Sequence, residues 1–280
     1  MQQTDTYAEY SNTILPEEPV LQEAAGLRML KLQQTIAFLP PVSLKEMDNV
    51  RLMNRTDLKY LVSDEAIPSI MQSLSNEYSI QEIEGNRIAE YETVYLDTRD
   101  LIFFLSHVNG KLNRFKWRVR KYVESDLSFL EIKNKSNKGR TDKKRILLSP
   151  FNGLNDKDVA EFIDRNSDIG AHKLFPVLHN KFSRMTLVNA GKTERLTIDL
   201  NISFHNYLTG KSLPVNNLAI IELKQDKTRN STAAGLFGDM RIKKSGLSKY
   251  CLGMVLTSDQ IKGNLYKQKI RQISKILHQQ

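Results

Sequence analysis

The apolar positions change their period along the chain. From Val20 to Ile36 they recur at helical spacing, with Leu21, Ala24, Ala25, Leu27, Leu30 and Leu32 among them, until Pro40-Pro41 ends the segment. Ser43 to Met47 fits a short capped helix. The opening MQQTDTYAEYSNT is polar, so residues 1–40 read as a lead-in carrying one helix. Beyond Pro41 the period falls to two. Arg55 to Val62 alternates over its first half, Ala89 to Leu96 reads as a strand, and Leu112 to Val123 is a long alternating strand. Ser128–Lys133, Lys143–Leu148, His179–Val188, Glu194–Leu200 and Leu218–Lys224 bring the strands to eight. Helices interrupt them. Ser63 caps one whose face is Ile67, Ile70, Met71 and Leu74. Asp97 to Asp100 turns into a short apolar helix, Leu101 to Leu105, and Asn109-Gly110 is a tight-turn signal. Asp156–Ile163 and Ser231–Met240 are helical, and Tyr266, Ile270, Ile273 and Leu277 mark a basic amphipathic helix at the tail. This order predicts an α+β protein, mainly antiparallel β, closing or nearly closing into a barrel with peripheral helices. One domain over 41–262 and a basic helix over 263–280 is the simplest division.

Charge sharpens the picture because of the face it occupies. Arg114, Lys116, Arg118 and Arg120 share one face of the long strand, and Phe115, Trp117 and Val119 share the other. Arg55, Asp57 and Lys59 share a face, as do Glu131 and Lys133, Lys143 and Arg145, and Arg195, Thr197 and Asp199; Arg184, Glu222 and Lys224 follow. A half-solvated sheet explains any one of these strands. It does not explain cations stacked at two-residue spacing, which repel one another unless an anion joins them. Arginine predominates in that stack, and its planar fork suits bidentate contact with phosphate oxygens. In a barrel these faces would line a lumen. Asp57, Glu131, Asp199 and Glu222 are too few to balance the cations, but they offer oxygen ligands to a divalent ion.

Composition agrees and excludes other classes. Lys and Arg number 41 against 32 Asp and Glu, a formal charge of +9, which suits a polyanionic partner. The single cysteine, Cys251, rules out an internal disulfide framework and a cysteine-rich zinc site, and it reads as a small buried hydrophobe. No signal peptide or transmembrane run is read, so a cytoplasmic protein is expected. His107, His172, His179, His205 and His278 lack zinc spacing. Gly191-Lys192-Thr193 fails as a phosphate-binding loop because Thr186 stands where that loop needs glycine.

The segments MNRTDLKY (53–60), YETVYLDTRD (91–100), NGKLNRFKWRVRKY (109–122), FLEIKNKSNKGRTDKKR (129–145), RLTIDLNISF (195–204), IIELK (220–224) and LSKY (247–250) together resemble the VTC domain. This is the polyphosphate polymerase domain of the triphosphate tunnel metalloenzyme (CYTH-like) superfamily. The resemblance implies an eight-stranded triphosphate-tunnel barrel. It implies phosphoryl transfer from ATP to inorganic polyphosphate with Mn2+ or Mg2+, and a membrane-protein partner for product export. Carried over, Arg118, Arg120, Arg184, Arg195 and Lys224 are the catalytic clamp. Arg55, Lys59, Lys133, Lys143, Arg145, Ser248 and Lys249 bind phosphate. Glu222 is the metal ligand and Glu131 a second candidate. Two departures stand out. The superfamily's hydrolases carry E-x-E-x-K on the first strand, which here reads Arg55-x-Asp57-x-Lys59, favouring a polymerase over a triphosphatase or nucleoside triphosphatase. Phe182 replaces a tyrosine. The rivals are that triphosphatase, a non-catalytic polyphosphate- or nucleotide-binding module, and a nucleic-acid platform. Phe115 and Trp117 argue against the last, because they lie opposite the cations rather than among them.

Overall fold

The computed structural model describes residues 30–48, 55–137, 141–148, 156–226, 230–258 and 266–277. Residues 20–29 of the expected first helix lie outside them, as does the side chain of Arg55. Among the described residues there are eleven strands: β1 Pro41–Ser43, β2 Arg55–Ser63, β3 Tyr78–Glu82, β4 Ala89–Asp97, β5 Arg114–Tyr122, β6 Leu127–Lys135, β7 Thr141–Leu148, β8 Phe175–Asn189, β9 Glu194–Asn206, β10 Ser212–Val215 and β11 Leu218–Asp226. The helices are α1 (30–36), α2 Leu44–Asp48, α3 Ile67–Leu74, α4 Ile102–Val108, α5 Lys157–Asn166, α6 Thr232–Asp239, α7 Lys249–Leu256 and α8 Lys267–Leu277. Among the described residues no helix is long and apolar enough to cross a membrane.

The eight expected strands form one continuous path, β2-β11-β9-β8-β4-β5-β6-β7, and every ladder along it is antiparallel. No ladder joins β2 to β7 among the described residues, so the backbone does not close the expected barrel. The sheet is nonetheless strongly curled. Lys133 on β6 feels the charges of Glu222 on β11 and Lys59 on β2. β6 and β11 are five ladders apart, which on a flat sheet would be about 24 Å. The expected strand at Leu112 starts only at Arg114, leaving Leu112 exposed.

Alternation decides what each face meets. On the convex side Ile198, Ile221, Leu223, Met185 and Leu187 pack with α3 and Phe237 of α6, and Trp117, Leu130 and Ile132 pack with Val159 and Ile163 of α5. Trp117 is fully buried edge-to-face on Phe162, a core residue as expected. On the concave side the residues are apolar at one end and basic at the other. Leu61, Tyr95, Phe182 and Ile220 form the apolar end, and α7 fills it with Tyr250, Cys251, Leu252 and Met254. Gly253 lets this helix approach: a Cβ there would lie 2.5 Å from both Leu178 and Phe204. The tail helix α8 is docked rather than free, with Ile273 buried in the same cluster. Ser231 and Ser248 cap α6 and α7 through their hydroxyls.

Candidate functional site

The basic end of the concave face is assembled by register. Antiparallel pairing sets Glu131 between Arg118 and Arg145, Arg184 against Asp199, and Glu222 against Lys59. Each of these three carboxylates is shared by two cations. Arg118 donates from Nε to Glu131 at 2.7 Å, and Lys143 reaches the other oxygen at 2.5 Å. Arg184 grips Asp199 bidentately at 2.6 and 2.8 Å, and Lys249 at the start of α7 takes the same carboxylate. Lys59 pairs with Glu222, with Lys224 at 3.6 Å on the other oxygen.

These pairs set the protonation states. Burial pushes both Glu131 and Asp199 upward. Arg118 and Arg120 beside Glu131, and Arg184 and Lys249 beside Asp199, outweigh it and hold each at about 2. Burial also opposes ionisation of Glu222, yet Lys224 and Lys59 keep it well below the usual carboxylate range. For the cations burial acts the other way. It lowers Lys224 to about 8, despite Glu222 and with help from Arg195 and Arg184.

Arg120 differs from its neighbours. Its guanidinium lies over the Tyr91 ring at 5.6 Å, and its Nε is buried with no hydrogen-bond partner among the described residues. Burial first, then Arg118 and Arg184, bring its pKa down to about 10. Among the described residues no side chain accepts from this Nε–H, although the charge of Glu131, already shared by Arg118 and Lys143, acts on the guanidinium. An orphaned guanidinium N–H in such a place is suited to an anion.

The floor beneath these cations is aromatic. Tyr91 stacks on Phe182 at 5.3 Å with the rings 5° from parallel. Arg184 lies over both rings, and the Lys249 ammonium sits 3.6 Å from the Phe182 centroid. Phe182, which stands in place of a tyrosine, supplies a cation–π surface. Asp97 positions α7 from below: its carboxylate accepts from the Phe103 and Phe104 N–H groups of α4 and from the Tyr250 hydroxyl at 2.6 Å.

The structure therefore brings Lys59, Arg118, Arg120, Arg184, Lys224 and Lys249 to one concave face, with Glu131, Asp199 and Glu222 among them. Arg195 pairs with Lys224 across β9 and β11 on the same face, and Lys133 with Lys143 across β6 and β7. Lys133, Lys143 and Arg145 are more exposed, Arg145 over the Phe129 ring at 4.6 Å. Residues that the sequence did not single out as site residues are Tyr91, Asp97 and His107. Only the YETVYLDTRD segment pointed toward the first two.

A metal would have to share this space. Among the described residues no group of three or more His, Cys, Asp or Glu could hold an ion. The donors present fit one arrangement, a single carboxylate from Glu222 completed by phosphate oxygens, with Lys59 giving way. Mg2+ is commonly bound in that manner, through one or two carboxylates and substrate phosphates. Glu131 is closed off by Arg118 and Lys143.

Solved structures are similar to this chain at low identity. A candidate adenylate cyclase from Vibrio parahaemolyticus is 10% identical with a TM-score of 0.42, over 74% of this chain and 100% of its own. A candidate adenylyl cyclase from Hippeastrum, described as having a dominant triphosphatase activity, is 15% identical at 0.45, over 75% and 99%. The PH1819 protein of Pyrococcus horikoshii is 16% identical at 0.40, over 72% and 98%. A search of curated proteins gave no significant match. The family model described as the VTC domain matches residues 54–258, from the first strand of the curled sheet past the helix that fills its apolar end. The chain belongs to the VTC domain family.

Proposed function

We propose that the concave basic face holds a nucleoside triphosphate and a phosphate chain together and transfers the γ-phosphoryl group of the first to the end of the second. The observation that carries this reading is Arg120, half-buried among cations with a buried Nε that has no hydrogen-bond partner among the described residues, where Glu131, Asp199 and Glu222 are each already shared by two cations. A terminal phosphate oxygen of the chain attacks the γ-phosphorus. The bond to the β–γ bridging oxygen breaks, and the nucleoside diphosphate leaves with that oxygen. No protein nucleophile is required, and catalysis rests on position and charge.

Arg118, Arg120, Arg184 and Arg195 would clamp the phosphates, with Lys59, Lys133, Lys143, Arg145, Ser248 and Lys249 tracking the chain. Glu222 would hold Mn2+ or Mg2+ brought in on phosphate oxygens, and the bound ion would supply charge neutralisation at the transferred group. Purified protein with ATP and Mn2+ is expected to form long phosphate polymers, read by gel staining. Orthophosphate release without polymer would reassign the site to a triphosphatase. One observation favours a second reading, a phosphate-chain binding module: Lys59 and Lys224 both occupy Glu222, which weakens its call on a metal. Tight tripolyphosphate binding without turnover in any divalent metal would select it.

A further inference from the structure

We propose that Lys116, held between His107 and Ser248, forms an anion subsite of its own that takes the terminal phosphate of a bound phosphate chain. The inference rests on the basic face being a phosphate site and adds a position to it. Lys116 continues the β5 row of Arg118 and Arg120 toward α4 and the N-terminus of α7. Its Nζ lies 3.0 Å from His107 Nε2 and donates to Ser248 Oγ at 2.9 Å. Among the described residues no carboxylate pairs with it, unlike Lys59, Arg118, Arg184 and Lys249.

Counting donors shows what is left over. An ammonium has three N–H groups, and two directions are taken. Ser248 Oγ accepts from Lys116 and, at 3.5 Å, from the Cys251 N–H as the cap of α7, so its own O–H proton remains to be given. His107 Nδ1 is buried without a hydrogen-bond partner among the described residues. The site thus offers a lysine N–H and a serine O–H side by side, which is a recognition pair for a phosphate oxygen and not for a cation. From Arg120 to Lys116 the strand runs about 13 Å, so one phosphate cannot serve both, whereas a chain of phosphates can.

The groups facing Lys116 make occupancy and protonation one event. They are Arg118 of β5, Lys133 of β6, Lys59 of β2, His107 of α4 and Cys251 of α7. Burial first, then Lys133, Arg118 and Lys59, lower Lys116 to about 7, against an opposing pull from Cys251. Burial and the same cationic surroundings, with Lys116, Arg114, Lys133 and Lys135, lower His107 to about 3, so it stays neutral. Lys116 is then largely neutral above neutral pH and takes up a proton when an anion arrives.

Calorimetric titration with tripolyphosphate at about pH 8, in two buffers of different ionisation heat, reads that proton directly. Lys116→Met is expected to weaken tripolyphosphate binding roughly 10- to 100-fold, to leave pyrophosphate binding less affected, and to abolish the Lys116 share of proton uptake. Lys116→Arg keeps a permanent cation, so it should retain most of the affinity and still lose that uptake. Thermal unfolding checks that both variants fold. If wild type binds tripolyphosphate and Lys116→Met matches it in affinity and proton uptake, the subsite is refuted while the basic face stands. If wild type binds none, the reading of the face itself fails and takes the subsite with it.

Discussion

Arg120→Met is expected to weaken tripolyphosphate binding roughly 100-fold while leaving the folded protein as stable as its parent or more so. The two halves of this result come from one fact. Arg120 is half-buried beside Arg118 and Arg184, and its buried Nε has no hydrogen-bond partner among the described residues. In the empty protein its charge is a liability, so a neutral chain of similar length relieves repulsion at little packing cost. In the complex a guanidinium can give two charge-assisted hydrogen bonds to a phosphate, each worth about 1.5 kcal/mol or more, and a tenfold change in affinity is about 1.4 kcal/mol. Isothermal titration and urea unfolding on the same preparation separate the terms. Unchanged affinity, or a large loss of stability, would show that Arg120 serves the fold and not a ligand.

Asp199→Asn should do the reverse. Arg184 and Lys249 both depend on this carboxylate, and all three side chains are at most 15% exposed. Removing its charge leaves two cations facing each other in a desolvated place, and the expected loss is about 3–5 kcal/mol. Tripolyphosphate should restore much of it, because an anion binding the folded state stabilises by mass action. The wild-type protein reports on the same triad through pH. Asp199 is held at about 2 in the folded state against an ordinary 3.8. The unfolded chain therefore binds the proton first as pH falls, so the contribution is present above about 3.8 and is lost toward about 2. Glu131, also at about 2, widens the window upward to its ordinary 4.5. Urea midpoints should fall through that range, and less steeply in Asp199→Asn. A loss of unfolding free energy below about 1 kcal/mol in the variant would mean the triad is solvated.

What the sequence made legible was whatever repeats locally. Phe115, Trp117 and Val119 against Lys116, Arg118 and Arg120 disclose β5 and its two faces without any other strand, and the structure keeps them apart as read. Short or uniformly buried elements gave no such signal. Tyr78–Glu82 has five residues and only two buried positions, too few for a period. The helix Lys249–Leu256 is buried on all sides of its middle, so it lacks an apolar stripe, and Gly253 at its centre argues against a helix until Leu178 and Phe204 are seen pressed against it. The pairings were least legible. That Glu131 answers Arg118 and Lys143, or that Asp199 answers Arg184 and Lys249, depends on register and on helix docking. Neither is written in residues near the pair. Hence the carboxylates looked free for a metal from sequence, and in the structure they are engaged by cations.

The decisive measurement is a crystal structure with tripolyphosphate. The account predicts continuous phosphate density along the concave face, with Arg120 Nε and Lys116 Nζ within hydrogen-bond distance of its oxygens. Density confined to the outer surface of the sheet, with the concave face holding only water, would contradict it.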